Sequence, residues 1–246
     1  MKKIYIYTIP GLLLIISIIT GLCAGAEFIN PLIIADNIIN KSESLKMEIL
    51  LKIRFPRVMA AAFVGAALSV SGAVFQSIFR NPLADPFITG VSGGASLGIS
   101  AAVIFSLGPL ATVFFSFTGS IAAIVILYLL SYGRGFGGGI FILAGVALSF
   151  IFSSSVMLLF SVAESQSVHK AIIWMMGDLS SSGDVGQVVV SALIFAVTLL
   201  LWIYHRHINI ISLGRSFSNS AGLSDSELRI ILILASILSA LSVILG

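Results

Sequence analysis

The stretch Gly90-Val91-Ser92-Gly93-Gly94 has the Gly-x-Ser-x-Gly pattern of a hydrolase nucleophile elbow, and also the Gly-x-Ser-Gly of intramembrane rhomboid proteases. A serine becomes nucleophilic only with a base in hydrogen-bond reach. The histidines are His169, in an expected outer loop, and His205 and His207, at the inner end of the sixth apolar run. None is placed to meet Ser92 at membrane depth, so an intramembrane serine protease is the weaker reading. His169, Glu164 and Asp178 lack any compact metal-ligand spacing, and no metal site is expected. The glycines from Gly135 to Gly139 are followed by no lysine and read as a turn. No Gly-x-x-x-x-Gly-Lys-Ser/Thr phosphate loop occurs, so any ATP hydrolysis belongs to a separate chain.

The elements that carry these residues follow from composition. Hydrophobic residues make up 58% of the chain and charged residues 9%, with a mean hydropathy of +1.14; soluble domains carry about 25% charged residues. Crossing the hydrocarbon layer takes about 20 apolar residues in a helix, because lipid offers backbone polar groups no other partner. Such runs recur at Ile4 to Ala24, Val58 to Phe79, Phe87 to Leu107, Leu110 to Leu130, Ile140 to Val162, Val185 to Tyr204 and Ile230 to Gly246. The expectation is an all-α, polytopic membrane bundle of seven helices, the last one short, forming a single transmembrane domain over residues 1–246. Pro82, Pro86, Gly108 and Pro109 punctuate the boundaries.

The formal net charge of +3 is carried by residues between the apolar runs, which points to membrane orientation rather than to nucleic acid. With the amino terminus in the cytoplasm, Lys2, Lys3, Arg80, Arg134, Arg206, Arg215 and Arg229 lie inside. The first loop adds Glu27, Asp36, Glu43 and Glu48 to its basic residues and has a mixed, soluble character. The run from Ile4 to Leu22 is longer than the roughly 7 to 15 residues of a signal-peptide core and reads as a retained helix. The single cysteine, Cys23, rules out an intrachain disulfide.

No Asp, Glu, Lys or Arg falls in the middle of any apolar run. Ion-coupled carriers generally place an ionisable or ion-coordinating group near the midplane, so a porter driven by protons or sodium is also the weaker reading. The second run places Ala61, Gly65, Ser69 and Gly72 on one face with Gln76, a stripe that lets another helix approach closely and leaves Gln76 either packing or lining a path. In the fifth, Ser149 and Ser153 lie one turn apart and either wet a pathway or bond back to their own helix.

Several segments together carry a family resemblance. Arg54-Phe55-Pro56-Arg57, Val64-Gly65-Ala66-Ala67-Leu68, Ser71-Gly72-Ala73, Gln76 and Asn81-Pro82-Leu83-Ala84-Asp85-Pro86 come first. Gly90-Val91-Ser92, Leu143 to Leu148, Trp174-Met175-Met176-Gly177 and Leu213-Gly214 followed by Gly222 continue the order. Over nearly its whole length the chain resembles the FecCD family of ATP-binding-cassette (ABC) permeases, the transmembrane subunits of type II importers for iron-siderophores, haem and cobalamin. The resemblance implies ten helices per subunit, of which about seven are present, and so a chain truncated at the carboxyl terminus. It implies a non-catalytic transport subunit in the cell inner membrane, pairing with a second permease copy, an ABC ATPase and a substrate-binding protein. ATP and Mg would sit on the ATPase, with no cofactor held by this chain.

Carried over by position, Arg54 and Arg57 match arginines that dock the binding protein. Asn81 and Leu83 match an inner gate, and Gly138 and Gly139 a second gate element where hydroxyl side chains are usual. The stretch from Ser212 to Leu223 matches the ATPase-coupling helix, including Leu213, Gly214, Arg215, Ser218, Ala221 and Gly222. It departs from the family pattern at Arg215, where an acidic residue is common, at Ser218 for alanine and at Ala221 for leucine.

Overall fold

The computed structural model describes residues 2–25, 27–30, 45–131, 138–177, 179 and 185–245. Asp36, Glu43, Arg134, Asp178 and the glycine turn at 135–137 lie outside the described residues. Every regular element among the described residues is helical. Among the described residues, five helices are long and apolar enough to cross a membrane, and two shorter apolar helices, Thr8–Cys23 and Val91–Ile104, accompany them. Each overlaps one of the seven apolar runs. Large apolar side chains such as Leu12, Phe114, Phe150 and Trp202 are more than half exposed, an arrangement suited to lipid. The chain is a multi-pass membrane protein.

The residues form two compact units, Met1–Ala62 with Leu179–Gln187, and Phe63–Asp178 with Val188–Gly246. In the first, α1 (Lys2–Cys23) is followed by a short helix, α2 (Leu45–Ile49), which passes through a π-turn (Leu50–Arg54) into the start of α3 (Phe55–Phe79), whose residues from Phe63 onward belong to the second unit. A proline ring inside regular helix clashes with the carbonyl four residues back. The wide turn directly before Pro56 relieves that clash. Gln187 Nε2 donates to the Pro56 carbonyl at 3.3 Å, holding the start of α3 within this unit.

The second unit contains a 3-10 turn (Pro86–Thr89), α4 (Val91–Ile104), α5 (Pro109–Ser131), α6 (Gly138–Val162) and α7 (Ser165–Met176). They are followed by α8 (Val185–Ile203), which belongs to this unit from Val188 onward, α9 (His205–Ser212), α10 (Arg215–Ser220) and α11 (Asp225–Leu245). α4 is the centre, packing on α5, α6, α7 and α11. Its glycines make this possible: a Cβ on Gly94 would overlap the Gly119 carbonyl, and one on Gly98 the Phe115 carbonyl. Small residues are what allow helices to associate where the surrounding lipid is as apolar as the contact. Val91, Ile124 and Ala240 close the junction of α4, α5 and α11, and Ser120 Oγ donates to the Val91 carbonyl at 3.4 Å.

Four boundaries differ from expectation. The third run breaks at Gly90, whose φ is 76°, so α4 is only 14 residues long, about 21 Å at a rise of 1.5 Å per residue. The stretch holding His169 is not a loop but the amphipathic α7. The sixth run breaks at Tyr204, so His205 and His207 lie in α9 rather than at the last turn of a spanning helix. The last helix is not short: it runs for 21 residues from Asp225, because Ser224 supplies its amino-terminal cap.

Candidate functional site

Asn81 builds the turn that leaves α3. Its side-chain Oδ1 accepts the Leu83 amide at 3.0 Å and its carbonyl accepts the Ala84 amide at 3.1 Å, while its own amide reaches back to the Gln76 carbonyl at 3.2 Å. This is an Asx-type turn, which a side chain of asparagine length can mimic and which Pro82 preconfigures. Leu83 projects from it at 81% exposure, while Ala84 beside it is buried.

The second expected gate element, Gly138-Gly139, opens α6. Two phenylalanines bring these elements together: Phe79, two residues before Asn81, packs on Phe141, two residues after Gly139, with ring centroids 5.2 Å apart and planes at 36°. Phe75 stacks on Phe79 at 5.8 Å and extends the aromatic contact up α3. The sequence reading missed both Phe79 and Phe141, although each sits two residues from a position it had chosen.

Of the stretch from Ser212 to Leu223, expected as one coupling helix, only α10 is regular helix beyond Ser212, and a corner separates it from α9. α9 ends at Ser212 and Gly214, at φ 117°, turns the chain into the six residues of α10. Leu213 and Phe217 stand out at 62% and 53% exposure, an apolar pair on a short polar segment. Ala221 and Gly222 are exposed, and Gly222 takes φ 80°, a left-handed conformation that glycine tolerates. Ser218 points inward, donating from Oγ to the Gly214 carbonyl at 2.9 Å. Its hydroxyl is therefore satisfied at a position where an alanine is usual. Arg215 begins α10.

Beyond the corner, Ser224 and Glu227 form a capping box, with Glu227 Oε2 accepting the Ser224 amide at 2.9 Å and Ser224 Oγ accepting the Glu227 amide at 3.4 Å. The other carboxylate oxygen faces His207 Nε2 on α9 at 3.6 Å, closing the base of the α9–α10 hairpin. Arg229 donates to the Tyr128 hydroxyl of α5 at 3.3 Å. The Ser-x-x-Glu spacing was present in the sequence as a signal for this start of α11.

Of the expected pathway residues, Gln76 and Ser153 are exposed, and Ser149 is half-buried with its Oγ donating to the Gly145 carbonyl at 2.9 Å. Ala61, Gly65 and Ser69 share the exposed side of α3 with Gln76, whereas Gly72, expected on the same face, is buried. The two arginines expected to dock a binding protein differ. Arg57 is exposed, whereas Arg54 donates from Nη1 to the carbonyls of Leu22 and Cys23, each at 3.0 Å, and from Nη2 to the Glu27 carbonyl at 2.5 Å. The nucleophile-elbow pattern opens a helix after a 3-10 turn, without the strand an elbow requires. Glu164 precedes α7 as its N-cap residue and His169 is exposed on that helix.

The arrangement therefore consists of an aromatic-anchored turn, an exposed apolar corner and a cluster of backbone-bound polar groups, suited to binding and movement. The chain is 34% identical over 205 residues to the hemin transport system permease protein HmuU of Yersinia pestis, covering 80% of this chain and 61% of that one. It is 33% identical over 217 residues to the vitamin B12 import system permease protein BtuC of Escherichia coli O1:K1, covering 87% and 64%. It thus spans less than two thirds of the length of either relative. In fold it is similar to a solved structure of a metal-chelate type ABC transporter in an inward-facing conformation, with a TM-score of 0.82 at 24% identity, covering 96% of this chain and 73% of that one. Residues 13–246 match the FecCD transport family, and the chain belongs to it.

Proposed function

We propose that this chain is a transmembrane permease subunit of a type II ABC importer for metal chelates, with iron-siderophore as the cargo and haem or cobalamin as the alternatives. The observation that carries the reading is the exposed Leu213–Phe217 corner in the same unit as the Asn81 turn. An apolar knob on a polar segment suits a groove on a separate ATPase, and Leu83 on the turn suits a gate across the path of the cargo. The relatives named for hemin and vitamin B12 support a bulky metal complex as cargo.

In this account the chain does no chemistry of its own. A second permease copy completes the pathway, a substrate-binding protein delivers the chelate at the outer face near Arg57, and the amino terminus lies in the cytoplasm of a cell whose inner membrane holds the complex. ATP binding on the partner shifts the population between two states of the gate, which requires only that the partner bind one of them more tightly.

The test is uptake into inside-out and right-side-out membrane vesicles containing the chain, using a ferric hydroxamate, hemin and cyanocobalamin as cargos. Uptake that needs ATP and survives collapse of the ion gradients is the expected result. Uptake that follows the ion gradient with ATP absent would overturn it.

A further inference from the structure

We propose that Arg80 is a positioning residue that links the gate turn to the ATPase-coupling corner, with Gly214 as its seat. The proposal rests on the permease reading above and assigns to it a route for the mechanical signal.

Arg80 is the last residue before Asn81 and holds φ at 52°, one of two non-glycine residues with positive φ among the described residues. A side chain makes that conformation unfavourable, so it persists only where neighbours hold it. The Asn81 amide, bonded to the Gln76 carbonyl, wraps the chain around Arg80 in the manner of a helix carboxyl-terminal cap. Glycine is the usual residue at such a cap, and an arginine in its place has a long side chain to deploy.

That side chain lies against Gly214. A Cβ built on Gly214 would stand 3.0 Å from Arg80 Nη1 and 3.4 Å from Cζ, so the missing side chain is what lets the guanidinium approach the backbone. Gly214 is itself fixed to both arms of the corner. Its amide donates to the Ile211 carbonyl at 3.0 Å, and its carbonyl accepts the Ser218 amide and hydroxyl, each at 2.9 Å. A shift of α10 therefore carries Gly214 with it, and the guanidinium resting on Gly214 transmits the shift to the residue next to Asn81. The Asn81 side chain holds the Leu83 amide, so the displacement ends at the exposed leucine. Arg80 is exposed on its other side, so this contact with Gly214 is its link to the corner, and a contiguous path of contacts can carry coupling between two sites provided both bias the same moving element.

The experiment has two arms. Hydrogen exchange is measured on the full chain in lipid nanodiscs for the parent, Arg80→Ala and Arg80→Lys. The expected result is faster exchange, about tenfold for Arg80→Ala, in both 81–85 and 211–218, with Arg80→Lys intermediate. Acceleration confined to one of the two segments overturns the link, whether or not the chain is a permease. In the second arm, hemin or cyanocobalamin uptake and ATP hydrolysis are measured for the chain with the ATPase that co-purifies with it. Arg80→Ala is expected to lower the ratio of uptake to hydrolysis about tenfold, within the range seen for residues along a coupling path. An unchanged ratio overturns the proposal. Failure of the parent chain to bring down any ATPase counts against the permease reading alone, since the exchange arm still decides the Arg80–Gly214 link.

Discussion

The Arg54 guanidinium holds the Cys23 carbonyl at 3.0 Å, and with it the Leu22 and Glu27 carbonyls, closing the carboxyl-terminal end of α1. The last carbonyls of a helix have no partners within it, and a charged donor satisfies them more strongly than water. Gly25 leaves room for this, since a Cβ there would stand 2.6 Å from Arg54 Nη2. By resemblance alone Arg54 and Arg57 are expected to be equivalent docking residues; in the structure Arg54 binds three backbone carbonyls.

Arg54→Ala should lower the stability of the amino-terminal unit by about 2 kcal/mol, the scale of losing hydrogen bonds to a charged donor. Thermal unfolding in detergent, followed at Cys23 with a thiol probe, measures it. Arg57→Glu should leave that transition in place and weaken capture of the binding protein at least about tenfold, as loss of a charged interface contact does.

Gly98→Val should prevent α4 and α5 from meeting, because the side chain has to displace the Phe115 backbone rather than a flexible side chain. Overpacking typically costs about 1 to 3 kcal/mol, and a backbone obstacle puts this case at or above the upper end. The expected readout is a lowered melting temperature with aggregation on solubilisation. Gly65→Ala serves as control, since nothing lies within 4 Å of its added Cβ.

Phe79→Ala removes the ring that spans from the Asn81 turn to the start of α6 at 5.2 Å. Truncating a buried phenylalanine costs about 3 to 5 kcal/mol, shared between the turn and α6. Accessibility of a cysteine placed at position 84, where Ala84 is buried, should rise in the variant, and Phe79→Leu should restore most of the protection.

Phe217→Asp should leave the fold in place, because the ring is 53% exposed, and should weaken ATPase association by about 2 kcal/mol or more if it acts as an interface anchor. Leu213→Asp should act in the same direction. Size-exclusion of the complex reports association, and circular dichroism of the permease alone reports the fold.

The spanning helices were legible because their apolar runs have the length lipid demands, and the family could be named from segments such as Asn81 to Pro86 that keep both order and spacing. What escaped was of two kinds. Some of it was local: α7 alternates His169 and Lys170 with Ile172 and Trp174, too mixed for a hydropathy reading, and the Ser224–Glu227 capping box that lengthens α11 was there to be read. The rest is long-range. Nothing in the spacing of Phe79 and Phe141, or of Arg80 and Gly214, tells that they meet, because those contacts follow from how α3, α6 and the α9–α10 hairpin pack. Ser149, for which the sequence allowed either a pathway or its own helix, bonds to the backbone carbonyl four residues back, as does Ser218 of the α10 segment.

The central claim is most directly tested by isolating the tagged chain from native membranes, alongside its Phe217→Asp variant, and identifying what comes with it by mass spectrometry. The account predicts an ABC ATPase with the parent chain and its depletion from the variant. Recovery of equal ATPase with both, or of none with the parent chain or with any longer form of it, would contradict the account.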